Sequence, residues 1–402
     1  MSRYRLYPTR EQEVLLLEQS GHARYVWNLG LEQRSMWARW KGPTPGLAEQ
    51  SRQLTDARAS FPWLADGSVT VQQQALRDLD QAFRNFFGGT HAYPTWRKQG
   101  QHEGFRVVGT QALRVEHDNR RWSRVLIPKV GWVKVRRSRE LPDWKSYRVT
   151  RDRAGRWHVA FAVIPDPIPA PGTGEVVGVD RGIAVAVAVS DGTMTSPAGL
   201  RPKEAERKLR LQRRLARARK GSNRRAKVKA QLARLAARET DRRKDWVEKT
   251  STDLARRYDV IRVEDLHVKA MTRSARGTLD APGRNVRQKA GLNRGILKAG
   301  WSALVTRLEQ KAPGRVERVN PAYTSQTCNA CKHVARESRE SQAVFRCVAC
   351  GHSDNADVNA ARNIRDREPT AVGRTVAARG DRVKSARSVK REPQHARLLT
   401  VA

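Results

Sequence analysis

Four cysteines form two CxxC pairs, Cys328 with Cys331 and Cys347 with Cys350, separated by fifteen residues. Each pair is typical of a tight turn that presents two thiolates, and two such turns can hold Zn²⁺ in a closed tetrahedral site. Because four thiolates leave no open coordination position, we expect this zinc to be structural. The catalytic chemistry must then be carried by other residues.

Three carboxylates occupy positions that could form a divalent-metal site. Asp180 follows the apolar run 176–179, Glu264 ends the apolar run 260–263, and Asp357 lies in the first turn of a predicted helix. Strand ends meet at the rim of a sheet, where three converging carboxylates could hold two Mg²⁺ ions about 3.5–4 Å apart and activate water against a phosphodiester. Each acid also has a structural alternative as a turn residue, a strand-end charge or a helix-dipole partner. The sequence leaves these alternatives open.

The composition indicates the class of partner. The 402-residue chain has a formal net charge of +39 with 39% hydrophobic residues. This length predicts several structural units, and the charge predicts a polyanionic partner, nucleic acid rather than a membrane surface. The sequence has neither an apolar run of about 18 residues nor the apolar core of a signal peptide. We therefore expect a cytoplasmic, nucleoid-associated protein without a disulfide scaffold.

The first part of the chain predicts strands on either side of a helical region. Residues 1–8 predict a short strand, and Thr9 and Gln12 predict a capping box at the start of a helical region that extends to about residue 90. Residues 105–164 alternate between apolar and polar types, with a turn at 153–156, and predict antiparallel strands. The proline-rich segment that follows predicts a stiff linker.

A second unit begins after this linker. Residues 175–192 predict two apolar strands around a Gly-Val-Asp-Arg-Gly turn. Residues 201–250 contain 20 Lys and Arg against 6 Asp and Glu, and predict a basic helical hairpin that breaks at Gly221. A later segment carries Leu297, Trp301, Leu304, Val305 and Leu308 at helical spacing.

Several segments together resemble one protein family. In chain order, "GVDRG", "VEDL", "NPAYTSQTCNAC", "CVACG" and "DNADVNAARNI" resemble the TnpB (OrfB) proteins of bacterial insertion sequences, RNA-guided DNA nucleases related to compact type V CRISPR effectors. The segments "RLYPTREQE", "RYVWNLGL", "YPTWRKQG" and "LNRGILKAGW" extend the resemblance to about residues 3–366. It implies an α+β multidomain fold, in which an N-terminal wedge β-barrel with a helical recognition insert precedes a RuvC-type, RNase H-like α/β domain with an inserted four-cysteine zinc ribbon.

The sequence patterns and the resemblance together predict the domain boundaries. They are a wedge β-barrel at 1–8 and 104–164, a helical insert at 9–103, a linker at 165–174, a RuvC domain at 175–325 that includes the hairpin 201–250, a zinc ribbon at 326–352, a C-terminal RuvC helix at 353–366 and a disordered tail at 367–402.

The resemblance assigns roles to the residues already singled out. The three acids of the family map onto Asp180, Glu264 and Asp357, as ligands of a two-ion Mg²⁺ site, and the four cysteines bind structural Zn²⁺. We expect Asp354 to cap the last helix or lie at its edge, and Asp191 and Asp265 to be structural. One departure is Glu248, which stands where many relatives have a histidine.

The implied activity is RNA-guided DNA cleavage. The implied partners are a guide RNA, transposon-end-derived or of CRISPR type, and target double-stranded DNA with an adjacent motif. Asn320, Tyr323, Ser325 and Gln326 could position nucleic acid, although Tyr323 could equally be a packed loop aromatic. Two alternatives stay open: a compact type V CRISPR effector that uses a CRISPR RNA, and a non-cleaving zinc-ribbon protein that serves as a transposition accessory factor or repressor.

Overall fold

The computed structural model describes residues 2–36 and 42–370. Its helices are α1 (Arg10–Ser35), α2 (Leu47–Ser60), α3 (Pro62–Asp66), α4 (Val69–Phe87), α5 (Pro202–Arg217), α6 (Asn223–Arg257), α7 (Val268–Met271), α8 (Val286–Ala299), α9 (Trp301–Lys311) and α10 (Ala356–Asp366). Its strands are β1 (Ser2–Tyr7), β2 (Gly104–Val108), β3 (Val115–Asn119), β4 (Trp122–Ile127), β5 (Gly131–Arg136), β6 (Ser146–Arg151), β7 (Trp157–Phe161), β8 (Val176–Asp180), β9 (Val187–Val189), β10 (Met194–Thr195), β11 (Val260–Glu264), β12 (Val316–Val319), β13 (Val344–Arg346) and β14 (Ser353–Asn355). None of the described helices is long and apolar enough to cross a membrane.

The first unit is built on a seven-stranded antiparallel sheet in the order β2-β6-β7-β1-β5-β4-β3. The first strand of the chain, β1, is inserted between β5 and β7, with Leu6 opposite Val135. Alternate residues of these strands are buried in a core that includes residues of α1 to α4. Among the described residues, the edge strands β2 and β3 do not pair with each other, so a closed wedge barrel stays a prediction.

The predicted start of α1 is confirmed. The Gln12 backbone N–H donates to Thr9 Oγ1 at 3.2 Å, and the Thr9 backbone N–H donates to Gln12 Oε1 at 3.1 Å. This reciprocal pair satisfies two donors that a helix N-terminus otherwise leaves unbonded.

The linker after β7 is held against the second unit. The Ile168 side chain packs on the second core, and its backbone N–H donates to the Lys311 carbonyl at 2.7 Å. Arg315 Nη2 donates to the Ile168 carbonyl at 2.8 Å, and Asp259 accepts from the Gly172 N–H at 2.9 Å. The linker therefore has no regular secondary structure but has fixed contacts.

The second unit contains a five-stranded mixed sheet in the order β10-β9-β8-β11-β12. Strands β8, β11 and β12 are parallel, and Val179 lies beside Val263. Apolar residues of β8 and β11 form a buried core with residues of α6 and α9, while α10 packs directly on β8. In sheets of this kind, the carboxyl ends of the parallel strands are the usual place for a site.

The basic hairpin forms as predicted. It turns around Gly221, whose φ of +83° is readily adopted by glycine, and Ser222 caps α6. Leu211, Val228 and Leu235 form a small buried cluster between α5 and α6. Helix α6 continues to Arg257, beyond the predicted end at residue 250.

The helical segment that contains Leu297 differs from the prediction. Gly300, with φ of +80°, separates α8 from α9. Trp301 and Leu304 are buried, but the Leu297 side chain is 61% exposed. The predicted helical spacing is therefore confirmed for Leu297, but the change of direction at Gly300 divides the segment into two helices and interrupts its apolar face.

The predicted disordered tail is wrong at its start. Arg367 Nη1 donates to the Asn320 carbonyl at 2.7 Å, and the Thr370 N–H donates to the Arg318 carbonyl at 2.9 Å. These contacts fix residues 367–370 beside β12. The rest of the predicted tail, 371–402, lies outside the described residues.

Gly178 in β8 permits the close approach of α10. A Cβ at this position would overlap the Ala361 carbonyl oxygen and would lie 2.5 Å from the Arg365 backbone nitrogen. Both atoms belong to the backbone of α10, so a side chain could not be accommodated by a rotamer change. The sheet and α10 can be this close only because residue 178 has no side chain.

We predict that Gly178→Ala destabilises the second unit by about 3 kcal/mol or more, since overpacking against backbone cannot relax locally. Thermal unfolding measures the effect. Gly46→Ala is the matched control, because its Cβ would meet nothing within 4 Å and its φ is −82°. Equal melting temperatures for the two variants would contradict this account of the contact.

Candidate active site and metal centre

The fold brings the three predicted acids to one end of the second sheet. Residues i and i+2 of a strand share a face, so Asp180 lies on the same face of β8 as Gly178, toward α10. The parallel register places Glu264 next to Asp180 on the neighbouring strand. Asp357 precedes Ala361 by four residues, one helical turn, and therefore lies toward the end of β8. A Cβ on Gly182 would be 3.9 Å from Asp357 Oδ2, which places this carboxylate over the turn after β8.

Burial and mutual repulsion make ionisation of this cluster costly. The Glu264 and Asp357 residues are only 8% and 9% exposed. Burial, followed by the nearby Glu264 and Asp357, raises the pKa of Asp180 to about 7. Burial also raises the pKa of Glu264, although the Thr324 hydroxyl and the Arg181 charge oppose the shift. A cation between these groups would relieve the repulsion.

Two further side chains contact the acids. Arg339 Nη2 lies 2.9 Å from Asp357 Oδ1, and the Thr324 hydroxyl donates to Glu264 Oε1 at 2.7 Å. Arg339 comes from the segment between the two cysteine pairs, and Thr324 from the loop before them. Neither residue could be predicted from the sequence, since each contact joins segments that are distant along the chain and no local pattern marks it.

Three asparagines, the N-cap of α10 and two residues within it, fix the helix in place. Asn355 is the N-cap, and its Oδ1 accepts from the Asp357 N–H at 3.0 Å. Asn359 Nδ2 donates to the Thr327 carbonyl at 2.8 Å, and Asn363 Nδ2 donates to the Thr324 carbonyl at 3.0 Å. The sequence analysis missed these contacts, but the four-residue spacing of the asparagines was a usable signal for one polar helix face.

Asp354 lies at the edge of the helix and does not cap it. It lies one residue before the N-cap, in β14, and its Oδ2 is 2.5 Å from Arg362 Nη1. Its charge is therefore paired with a cation of α10.

The four cysteines form a compact cluster. Their sulfur atoms all lie within 4.8 Å of one another, with 3.8 Å between Cys328 and Cys350 and 3.6 Å between Cys331 and Cys347. Among the described residues, this is the only group of three or more His, Cys, Asp or Glu whose ligand atoms are so close. The ligand oxygens of Asp180, Glu264 and Asp357 are therefore not all within 4.8 Å of one another.

The two cysteine turns have the same backbone pattern. The Lys332 N–H donates to the Cys328 carbonyl at 2.9 Å, as Gly351 does to Cys347 at 2.9 Å. The Cys328 and Cys347 N–H groups donate to the carbonyls of His333 and His352, each at 2.8 Å. The turns are thus local structures that present two thiols each, and the cluster could hold one metal ion.

The acids expected to be structural are paired with cations or hydroxyls. Asp191 accepts from Tyr258 OH at 2.8 Å, and Asp265 lies 3.0 Å from Arg318 Nη1. Glu248, the departure from the family pattern, accepts from Arg307 Nη2 at 2.9 Å and lies 3.0 Å from Lys311 Nζ. It therefore links α6 to α9, a role that an ion-pairing acid can fill at this position.

The four residues proposed to position nucleic acid lie around the loop before the first cysteine pair. Tyr323 is 62% exposed and has φ of +61°, so it is not a packed loop aromatic. Asn320 is engaged locally, since its Oδ1 accepts from the Ala322 N–H at 2.9 Å. Contacts of Ser325 and Gln326 with nucleic acid stay a prediction.

The raised pKa of Asp180 predicts a pH-dependent stability. In the unfolded chain this carboxyl ionises near its ordinary value of 3.8, and in the folded protein near 7, so wild-type stability falls as the pH rises between them. We expect Asp180→Asn, in chelator, to raise the free energy of unfolding at pH 8 by up to about 4 kcal/mol and to leave it unchanged near pH 4.

Asp191→Asn is the control for this measurement. Burial opposes ionisation of Asp191, but hydrogen bonds from Thr193, Tyr258 and Arg257 hold the net pKa below its ordinary value. Its replacement should therefore lower the melting temperature at pH 8. The same sign of effect for both variants would contradict the proposed electrostatics.

Three models of known protein families and domains match parts of this chain. A model of the OrfB_IS605 family, described as "Probable transposase", matches residues 147–275. A "Helix-turn-helix domain" model of the same family matches residues 2–41, where the described part of the chain forms β1 and α1. A "Cas12f1-like, TNB domain" model matches residues 301–364, which include α9, the cysteine cluster and α10.

Two relatives match along their whole length. The chain is 35% identical over 397 residues to "Putative RNA-guided DNA endonuclease InsQ" of Escherichia coli (strain K12), covering 97% of this chain and 96% of that protein. It is 33% identical over 416 residues to "Putative RNA-guided DNA endonuclease" of Streptomyces pristinaespiralis, covering 98% and 96%. Among solved structures, the "Cryo-EM structure of the Cas12f1-sgRNA-target DNA complex" has a similar fold, with a TM-score of 0.58 at 14% identity over 90% of this chain and 84% of that one. The chain belongs to the TnpB (OrfB) family of relatives of type V effectors.

Proposed function

We propose that this protein is an RNA-guided DNA endonuclease of TnpB type, which uses a guide RNA to select target double-stranded DNA. The observation that carries the proposal is the convergence of Asp180, Glu264 and Asp357 at the ends of β8, β11 and α10. The chain that carries this arrangement also aligns with 96% of the length of a relative named "Putative RNA-guided DNA endonuclease InsQ". A nucleic-acid-binding accessory protein would have no need for a buried cluster of three acids.

The charge distribution supports the nucleic-acid partners. The chain has a formal net charge of +39, and α5 and α6 expose many of their Lys and Arg side chains. Such a surface binds phosphates through counterion release, so the affinity should fall steeply with salt. Base pairing would supply the sequence specificity, while the protein would contact the heteroduplex by shape and backbone.

We assign the second unit to a RuvC-type nuclease domain, with a zinc ribbon at 326–352 and its last helix at 353–366. The β-sheet unit before it would be the wedge domain, with α1 to α4 as the recognition insert. The mixed sheet order, the parallel β8, β11 and β12, and the cover of helices on both faces support this assignment.

The acids suit Mg²⁺, since all three offer hard oxygen ligands. When bound, Mg²⁺ would activate a water molecule and stabilise the leaving oxygen of the phosphodiester. Asp180, Glu264 and Asp357 would hold it, and Thr324 fixes one oxygen of Glu264 at 2.7 Å. Asn355 fixes the start of α10 and therefore the position of Asp357. The Arg339 contact with Asp357 must open or shift for this carboxylate to become a ligand.

The cysteine cluster suits structural Zn²⁺. A tetrahedral Zn–S₄ site with bonds of about 2.3 Å places its sulfur atoms about 3.8 Å apart. The measured separations of 3.8 and 3.6 Å agree with this geometry. Because the second cysteine turn leads through β14 into α10, the metal would stabilise the segment that carries Asp357.

We predict that Asp180→Asn, Glu264→Gln and Asp357→Asn each lower the rate of guided cleavage at least about 10³-fold, because each would remove a metal ligand. RNA binding should be unchanged, since these residues lie in the nuclease site. Gel-based cleavage of a matched target, with the purified protein–RNA complex in Mg²⁺, gives the rates. Asp265→Asn is the control and should retain cleavage; retained cleavage in the Asp180 variant would overturn the acid assignment.

We predict one tightly bound zinc per chain, lost in Cys331→Ser. Elemental analysis should fall from about one equivalent of zinc to near none, with a lower melting temperature, because structural zinc contributes directly to folding. Cleavage should fall as well, since α10 loses its support. Ser353→Ala, an exposed position in β14 beside the ribbon, is the control. A zinc-free wild-type protein with full cleavage activity would contradict the structural role.

A further inference from the structure

A second feature lies on the other face of the same strand ends. In "GVDRG", Arg181 follows Asp180, and strand alternation turns its side chain away from α10 and toward α9. There it borders a cavity of about 760 Å³ that extends from Glu264 to α7 and α9. The α9 residues Ser302, Val305 and Thr306 line it at i, i+3 and i+4, the spacing of a single helix face.

Basic side chains line part of the cavity. Arg181 is only 6% exposed; its Nη2 donates to the Glu264 carbonyl, but its buried Nε has no hydrogen-bond partner among the described residues. Such an unsatisfied donor costs free energy unless a ligand completes it. Lys269 and Arg273 also line the cavity, and no carboxylate of the described residues lies within 4.0 Å of their charged groups. By contrast, Arg318 is neutralised by Asp265 and Glu309.

Apolar side chains also line the cavity. Leu266 and Val268 come from the segment after β11, and Val305 comes from α9. A cavity of this size that is lined by both cationic and apolar side chains matches the two parts of a nucleotide, a base and its phosphate. The volume is also within the range of small-molecule pockets, about 300–1,000 Å³.

We propose that this cavity binds one nucleotide of the DNA strand next to the cleaved bond, with its phosphate toward Arg181, Lys269 and Arg273 and its base against Leu266, Val268 and Val305. The inference rests on the proposed nuclease function, since it places the strand across the end of β8 and β11. Arg181, Lys269 and Arg273 are positioning residues, because they hold the strand and do not touch the reacting atoms. The cavity would therefore fix which phosphate reaches Asp180 and Glu264.

The first test fills the cavity. Ser302→Trp places a large ring in it, and Ala303→Trp is the matched control, because residue 303 is the next exposed position on α9 but does not line the cavity. Each change is made in the Asp180→Asn protein, purified with its guide RNA and bound to target DNA that carries 4-thiothymine near the cut. We expect crosslinks to residues 266–273 that Ser302→Trp abolishes and Ala303→Trp retains. Equal crosslinking in both variants would overturn the proposal.

The second test measures the phosphate contact. In the otherwise wild-type complex, Arg273→Gln should lower single-turnover cleavage about tenfold, the effect of one lost charged hydrogen bond, and Arg273→Lys should restore most of it. A neutral methylphosphonate at the bound position should slow the wild-type complex by a similar factor and slow Arg273→Gln no further. If the methylphosphonate slows Arg273→Gln by the same factor as the wild-type complex at every position near the cut, the proposed phosphate contact is wrong.

The two proposals fail in different ways. If the wild-type complex does not cut but the crosslinks depend on residue 302, the cavity binds nucleic acid and the proposed nuclease function is wrong. If the complex cuts and neither variant of the cavity changes crosslinking or rate, the nuclease function stands and the cavity proposal is wrong.

Discussion

The candidate site depends on the contact between the backbone of α10 and the backbone of β8 at Gly178. Asp357 is about 180 residues away from Asp180 along the chain, and this contact brings the two carboxylates to the same edge of the sheet. The asparagines of α10 extend the contact, because Asn359 and Asn363 bind the carbonyls of the loop that carries Thr324. Thr324 in turn binds Glu264. One helix thus connects all three acids.

The acids of the candidate site differ from the other acids of the second unit in how their charge is balanced. Acids elsewhere are neutralised by neighbours, as Asp265 is by Arg318 and Glu248 by Arg307 and Lys311. At the site, Asp357 is paired with Arg339, but the half-buried Asp180 and the buried Glu264 lie beside one another with no ion pair among the described residues. The pKa of Asp180 rises to about 7. Buried like charges are costly and persist in proteins mainly where function requires them. The contrast supports a cation-binding role for this cluster and a scaffolding role for the others.

Local patterns predicted much of this structure. The capping box at Thr9, the break at Gly221 and the strand before Asp180 each depend on neighbouring residues, and all are observed. Contacts between distant segments were not predictable: Thr324 with Glu264, Arg339 with Asp357 and Arg181 with the Glu264 carbonyl follow from how the chain folds back on itself. Leu297 is another example. Its helical spacing was visible in the sequence, but its exposure follows from the change of helix direction at Gly300. The three acids were singled out by their positions at two strand ends and a helix start, and the family resemblance then gave them a shared role.

The most direct test is an anomalous diffraction measurement on crystals of the protein soaked in Mn²⁺, which substitutes for Mg²⁺ at oxygen sites. The account predicts manganese peaks between Asp180, Glu264 and Asp357, two of them about 4 Å apart if both ions bind, and a separate zinc peak at the four cysteines. The Arg339 contact with Asp357 should be broken in the same map. A zinc peak at the cysteines with no manganese at the three acids would contradict the central claim that α10 assembles a metal-dependent nuclease site on β8.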